Sequence, residues 1–297
     1  MRIFLVLSLP IIVLACNVAS GAEPQEEKKI VLIGHKLDHP WATHMYLPTC
    51  ELLAKCLRQT DGIEVVVSDG WPKDESVMKG VDCIVMYCSP GAEILLDGPH
   101  AGEVDRLMKE GVGLVAIHWA TGCHQKNVER IGDQFVSYLG GMWVHFTGLK
   151  ITESSLVQLA SDHPINRGWK EFPLKEEYYY APVISEAAQQ QWRALVNDKN
   201  LTVAWTYERP GGGRSFGTTL GHFFDSFKNE SFRRAIVNGI LWSSQVEIPE
   251  EGASVKLTDE DLKLPPKPND SAAALLRCEH DRLGCLLASR ELSPTLR

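Results

Sequence analysis

The chain alternates short apolar runs with stretches of helical periodicity through its first half. Ile30-Val31-Leu32-Ile33-Gly34 reads as a buried strand, and His35 to Pro40 reads as a loop after it. Ala42 to Arg58 places Leu47, Cys50, Leu53, Ala54 and Leu57 on one helical face. Ile63 to Val67 and Val81 to Tyr87 are the next two strands, Ala101 to Glu110 is a helix stopped by Gly111, and Val112 to Ile117 is a fourth strand. Strands that are apolar along their whole length, with helices between them, predict a parallel sheet covered on both faces and joined by right-handed crossovers. The predicted fold is therefore α/β, a doubly wound and mostly parallel sheet.

Beyond residue 140 the pattern loosens. Val203 to Thr206 and Ser215 to Leu220 are strand-like, and Tyr207 to Arg214, with three glycines, reads as the turn of a hairpin between them. Ser231 to Trp242 is a closing helix. The prolines at 265, 266 and 268 stop regular structure, and 250–297 is expected to be an extended, poorly ordered tail.

At the other end, Ile3 to Cys16 is apolar after Met1-Arg2, and Ser20-Gly21-Ala22 precedes Glu23. That pattern predicts a signal peptide over 1–22, a leader over 23–29, and export to the periplasm or the outside. Val13-Leu14-Ala15-Cys16 also approximates a lipobox, so a lipid anchor on Cys16 is the alternative form of the same export. No other segment approaches a transmembrane helix. A net charge of −8, with no long Lys/Arg run, argues against nucleic acid as a partner. Of the cysteines, Cys50, Cys56, Cys83 and Cys88 fall on predicted buried faces and are read as free thiols; no CxxC or zinc-finger spacing occurs.

The chemistry-bearing residues cluster where a parallel sheet binds ligands, beyond the carboxyl ends of its strands. His35 follows the first strand, with His39 and His44 soon after. His118 and Trp119 follow the fourth strand, His222 follows Leu220-Gly221, and His145 follows Gly140-Gly141. Glu176-Glu177-Tyr178-Tyr179 sets carboxylates beside aromatic rings, a composition suited to acid/base work, to metal ligation or to a solvated edge strand.

These motifs in their order carry a resemblance. Gly113 to His118, Leu139-Gly140-Gly141, Asp162-His163-Pro164-Ile165, Glu177-Tyr178-Tyr179, Ala204 to Arg209, Gly213 to Phe216 and Gly221-His222 resemble the trehalose-utilisation (ThuA-like) family across 30–249. The resemblance implies a class I glutamine amidotransferase-like, flavodoxin-like fold. In amidotransferases a cysteine occupies the sharp turn after the central strand; here the matching position is His118, and Cys123 lies several residues past it, which argues against glutamine hydrolysis. The loop His35 to His44 departs from the denser His/Glu motif of many exported relatives.

Disaccharide or 3-keto sugar catabolism is the role implied, with a small carbohydrate as partner and a homo-oligomer left open. His118, Glu177 and His222 are the expected catalytic residues. His39, His44, Trp119, His145, Tyr179 and Arg214 are the expected substrate contacts. A divalent transition metal on His118, His145, Glu177 and His222 fits such a ligand set. The alternative is a sugar-binding protein without catalysis, using Trp41, Trp119, Trp143 and Trp205 as stacking platforms.

Overall fold

In a computed structural model, residues 27–267 are described. The expected signal peptide, the Cys16 anchor and the segment 269–297 lie outside the described residues. The elements run β1 (Lys28–Gly34), α1 (Tyr46–Leu57), β2 (Ile63–Asp69), β3 (Cys83–Met86), α2 (Gly91–Leu96), α3 (Ala101–Lys109) and β4 (Gly113–Ile117). They continue with β5 (Gly122–Cys123), α4 (Asp133–Leu139), β6 (Gly141–Val144), β7 (Leu149–Gln158), β8 (Phe172–Tyr179) and β9 (Val183–Ile184). β10 (Gln189–Val196), β11 (Lys199–Glu208), β12 (Arg214–Thr218) and α5 (Glu230–Ser243) complete the fold.

One nine-stranded sheet has the order β2-β1-β3-β4-β12-β11-β10-β7-β8. Its first five strands are parallel, in the doubly wound order expected. Successive residues of β1 and β4 feed two separate cores. Ile30, Leu32, Val115 and Ile117 pack with residues of α1 and α5, whereas Val31, Ile33, Leu114 and Ala116 pack with residues of α2, α3 and α4. Both faces are thus covered, which is why these strands read as unbroken apolar runs.

The parallel half ends at the β11–β12 hairpin. A short turn can join only antiparallel neighbours, so β11, β10, β7 and β8 extend the sheet antiparallel and the mostly parallel expectation holds for one half alone. β5, β6 and β9 form a small separate sheet.

Two boundaries differ from expectation. The first helix starts at Tyr46 and not at Ala42, because Ala42 (φ 75°) and His44 (φ 49°) adopt left-handed backbone that no helix accepts. That stretch docks instead on the loop between β12 and α5: His44 N donates to His222 O at 2.9 Å, and Phe224 N donates to Ala42 O at 3.0 Å. The domain also runs past residue 249. Ala253 and Val255 are buried, Arg234 Nε donates to Ala253 O at 3.1 Å, and Lys55 pairs with Asp261 at 2.5 Å, so this part of the expected tail is packed onto α1 and α5.

Candidate functional site

Three histidines from distant parts of the chain meet at the carboxyl ends of β4 and β12. His118 Nε2 stands 3.0 Å from His44 Nε2, His44 Nε2 stands 3.0 Å from His222 Nδ1, and His222 Nδ1 stands 3.2 Å from His118 Nε2. Glu177 Oε2 closes the group at 3.5 Å from His118 Nε2 and 3.4 Å from His222 Nδ1. All four residues are buried.

The local backbone is shaped to make this meeting. His118 has φ 58°, directly after the last residue of β4, so the chain turns sharply and carries the ring onto the sheet's rim. A sharp turn after the central strand is what the family resemblance implies at His118. Gly221, at φ 115°, makes the corresponding turn for His222; a side chain there would crowd Ile117 Cγ2 at 3.0 Å. Tyr87 donates its hydroxyl proton to Gly221 O, and Glu176 Oε2 accepts from His222 N at 3.1 Å. His44 is held by the docked segment described above. Two of the three rings thus hang from strained, non-glycine positions, a condition that persists only where the surroundings over-determine it.

On β8 the alternation of faces separates neighbours. Glu177 and Tyr179 share one face and turn toward His118, with Tyr179 Oη 2.9 Å from its Nε2. Glu176 faces away and accepts from Ser226 Oγ (2.5 Å), Glu177 N (3.0 Å) and His222 N. Burial pushes its pKa up against those three donors. The pair is no solvated edge: β8 ends the hydrogen-bonded order, yet Glu176 to Tyr179 are buried.

Protonation follows from the partners. His118 Nδ1 lies 2.8 Å from Thr219 O, which can only accept, so Nδ1 carries the proton and Nε2 points a bare lone pair at the other two rings. For His44 the Asp38 carboxylate at 3.3 Å favours the proton on Nδ1, leaving Nε2 bare as well. Tyr46 Oη, 2.7 Å from the same Nδ1, steadies the ring. Burial, with the neighbouring His44 and His222, drives the His118 pKa well below the usual imidazole value. Burial also lowers His44 to about 4 despite Asp38. Burial lifts Asp38 less than its hydrogen bonds to His39 and His44 lower it, so it stays a carboxylate.

Two imidazole lone pairs, from His44 and His118, thus converge with His222 Nδ1 and a Glu177 oxygen on one point, the donor set a divalent transition metal takes. The ligand atoms of His44, His118, Glu177 and His222 lie within 4.8 Å of one another, close enough for one ion to be held by all four. The residues present fit a divalent transition metal.

The other expected residues distribute unevenly. His39 lies beside the cluster, its ring 3.6 Å from that of His44 and its Nδ1 2.7 Å from Asp38 Oδ1. Trp119 is half-buried, 5.3 Å from His44 and 4.8 Å from His39. His145 does not converge with the metal-type ligands. It leaves β6 alongside β5, with its N donating to Cys123 O at 2.9 Å, and its ring lies over Gly122, where a Cβ would come within 2.0 Å of Nε2. That path puts it against Trp119, Trp143 and His124. His44 takes the place expected of His145.

Arg214 is on the wrong rim. It starts β12, whereas the cluster lies past that strand's end, and its guanidinium sits 5.0 Å over the ring of Trp242. Trp143 and Trp205 are fully buried and Trp41 packs on a core, so of the four tryptophans only Trp119 borders the cluster with a partly open ring. His35 is spent on structure, its Nε2 accepting from Ser89 N at 2.9 Å. Sequence reading missed Asp38 and Tyr46, which flank His44; the spacing Asp38-x5-His44-x-Tyr46 was the available signal.

No curated protein sequence matches the chain. Among solved structures, a thua-like protein from Bacteroides uniformis is similar at 15% identity and TM-score 0.58, covering 76% of this chain and 94% of that one. A thua-like protein from Parabacteroides merdae is similar at 15% identity and TM-score 0.56, covering 81% and 100%. A glutamine amidotransferase from Thermotoga maritima aligns at 10% identity and TM-score 0.41, covering 74% and 97%. The first two likenesses bear on the fold, and they agree with the parallel half and its rim of strand ends. The family model described as ThuA, trehalose utilisation, matches residues 31–243, most of the chain, and the protein belongs to that family.

Proposed function

We propose that this protein is an exported enzyme of disaccharide or 3-keto sugar catabolism whose reactive centre is a divalent transition metal held by His44, His118, Glu177 and His222. The observation that carries the reading is the meeting of three imidazole nitrogens within 3.2 Å of one another beside one carboxylate. The family's link to trehalose utilisation supplies the substrate class. A metal bound there provides Lewis-acid polarisation of a sugar oxygen. The chain's own side chains handle protons: the Tyr179 phenol, held protonated by burial and by Glu177, donates. His39 and Trp119 line the approach and contact the sugar. Such proton handling serves a hydrolase, a lyase or an isomerase, and product analysis separates them.

Glutamine hydrolysis has no support. The elbow carries an imidazole, and burial with the nearby Glu93 pushes the Cys123 thiol up to about 12, leaving no thiolate nucleophile.

The test is metal analysis of purified protein, followed by incubation of Mn, Fe, Co, Ni and Zn forms with disaccharides and their 3-keto derivatives. One metal per chain and metal-dependent conversion are expected. Sugar binding without conversion in every form favours the non-catalytic alternative, to which the half-open Trp119 is equally suited. A chain that takes up no metal sinks the reading. Export is tested separately, by the mass of the mature chain from its host: a product starting at Glu23, or at a lipidated Cys16, is expected, and retention of Met1 or Arg2 refutes both forms.

A further inference from the structure

Phe146 stands out among the described residues as the most exposed large hydrophobic side chain, at 73%. Its backbone is also in the left-handed region, at φ 67°, which is rare for a bulky residue. Glycine would relieve both the exposure and the strain. The surrounding turn enforces this conformation: Thr147 N and Oγ1 both donate to Val144 O, at 3.2 and 2.9 Å, and Tyr180 N donates to Gly148 O at 2.9 Å. An aromatic ring is therefore held out into solvent by a turn built to hold it.

Its position gives that ring a use. Phe146 stands edge-on to Trp119, with ring centres 6.4 Å apart and planes at 87°. Trp119 in turn lies 5.3 Å from His44, within the ligand group. Aromatic surface thus runs outward from the metal-type ligands, with Phe146 one ring farther than Trp119. Polar rings lie against it: the His39 ring is centred 4.8 Å from that of Trp119, and the His145 ring 5.9 Å from that of Phe146. Apolar ring faces bordered by hydrogen-bonding groups match a pyranose, which has a C–H face and a hydroxyl edge.

We infer that Phe146, supported by Trp119, is the stacking platform for the outer ring of a disaccharide whose inner ring lies at the His/Glu centre. This rests on the carbohydrate reading above and adds the part of the site that distinguishes two-ring from one-ring ligands. Spending stability on an exposed, strained aromatic is the pattern of a residue retained for binding.

The experiment is calorimetric titration of the full mature chain with trehalose, maltose, cellobiose and sucrose, each compared with glucose, for the native protein and for Phe146→Ala, Phe146→Gly and Phe146→Tyr. Loss of one stacked ring predicts disaccharide binding weaker by about tenfold in the Ala and Gly variants. Glucose binding and metal content should stay unchanged, and Phe146→Tyr should retain the native preference. Phe146→Gly should melt no lower than the native chain, which separates lost binding from lost folding. Disaccharide affinity unchanged in Phe146→Ala overturns the inference. So does an equal loss for glucose, and so does a variant whose one change is a lower oligomeric state. A native chain that binds none of these sugars refutes the carbohydrate reading itself, so the two failures are distinguishable.

Discussion

His44 Nε2 and His118 Nε2 face each other at 3.0 Å across 74 residues of sequence, and each ring's other nitrogen is committed to a partner that favours its proton. Two lone pairs so placed define a binding site more sharply than any one of the ten histidines could. Replacing either ring by alanine takes one imidazole from the four-ligand group and should sharply reduce the metal retained after dialysis. His145→Ala should keep its metal. Elemental analysis of dialysed protein, with circular dichroism to confirm folding, checks all three variants.

Asp38 acts on the centre through His44. Its Oδ1 lies 3.3 Å from His44 Nδ1 and 2.7 Å from His39 Nδ1, and its Oδ2 lies 3.3 Å from Tyr46 Oη. Carboxylates in this position orient a ligating imidazole and raise its basicity, and their removal costs about 10- to 100-fold in metal affinity. Asp38→Asn should show that loss in a competitive chelator titration, while the melting temperature of the metal-free protein changes little.

Much of this was legible in the sequence because buried parallel strands write themselves as apolar runs. Once Val112 to Ile117 and Ser215 to Leu220 are read as strands, His118 and His222 must emerge at strand ends. The first places the elbow and the second its neighbour. His44 was legible as part of the site but not as a ligand, because its role depends on a left-handed backbone and on contact with a residue 178 positions away. β7 escaped notice because most of it is exposed and rich in Ser, Thr, Lys and Glu, and so lacks a buried face to announce it. Arg214 was misplaced because its motif fixes that it adjoins a strand, and only the strand's direction decides which rim it reaches.

Acid should destabilise the metal-free protein in a defined window. Burial lowers His44, His145 and His163 from 6.5 to about 4 each; His124 adds to the effect on His145 and Arg214 to that on His163. Between these values the unfolded chain binds protons on these rings and the folded chain does not, so stability falls as pH falls from about 6.5 to 4. His118 acts in the same direction. Urea titrations of chelator-treated protein should therefore show lower stability at pH 5 than at pH 7. His163→Gln, far from the cluster, should shallow the slope without touching metal binding. A flat profile would mean that the rings are not buried neutral.

Glu176 and Glu177 are adjacent and buried, yet they face opposite ways, and their variants should fail differently. Glu177 contributes Oε2 to the ligand group, and its loss leaves the backbone network intact. Glu177→Gln should fold with a near-native melting temperature, bind metal more weakly and lose turnover. Glu176 touches none of the ligand atoms; it holds the His222 turn and β8 together by accepting from Ser226, Glu177 N and His222 N. Glu176→Ala strands those donors away from water and should cost about 3 kcal/mol or more, since each unsatisfied buried group costs about 1–3 kcal/mol. Glu176→Gln is the informative intermediate. Its amide oxygen can accept from both backbone N–H groups while its amino group donates to Ser226, whose hydroxyl can rotate to accept. That variant should lose much less stability and keep its metal, because His222 stays in place. Chemical denaturation and metal content measured on the same three proteins separate the two roles. A Glu176→Gln chain that folds normally but has lost its metal would mean that the buried charge, and not the turn it braces, maintains the centre.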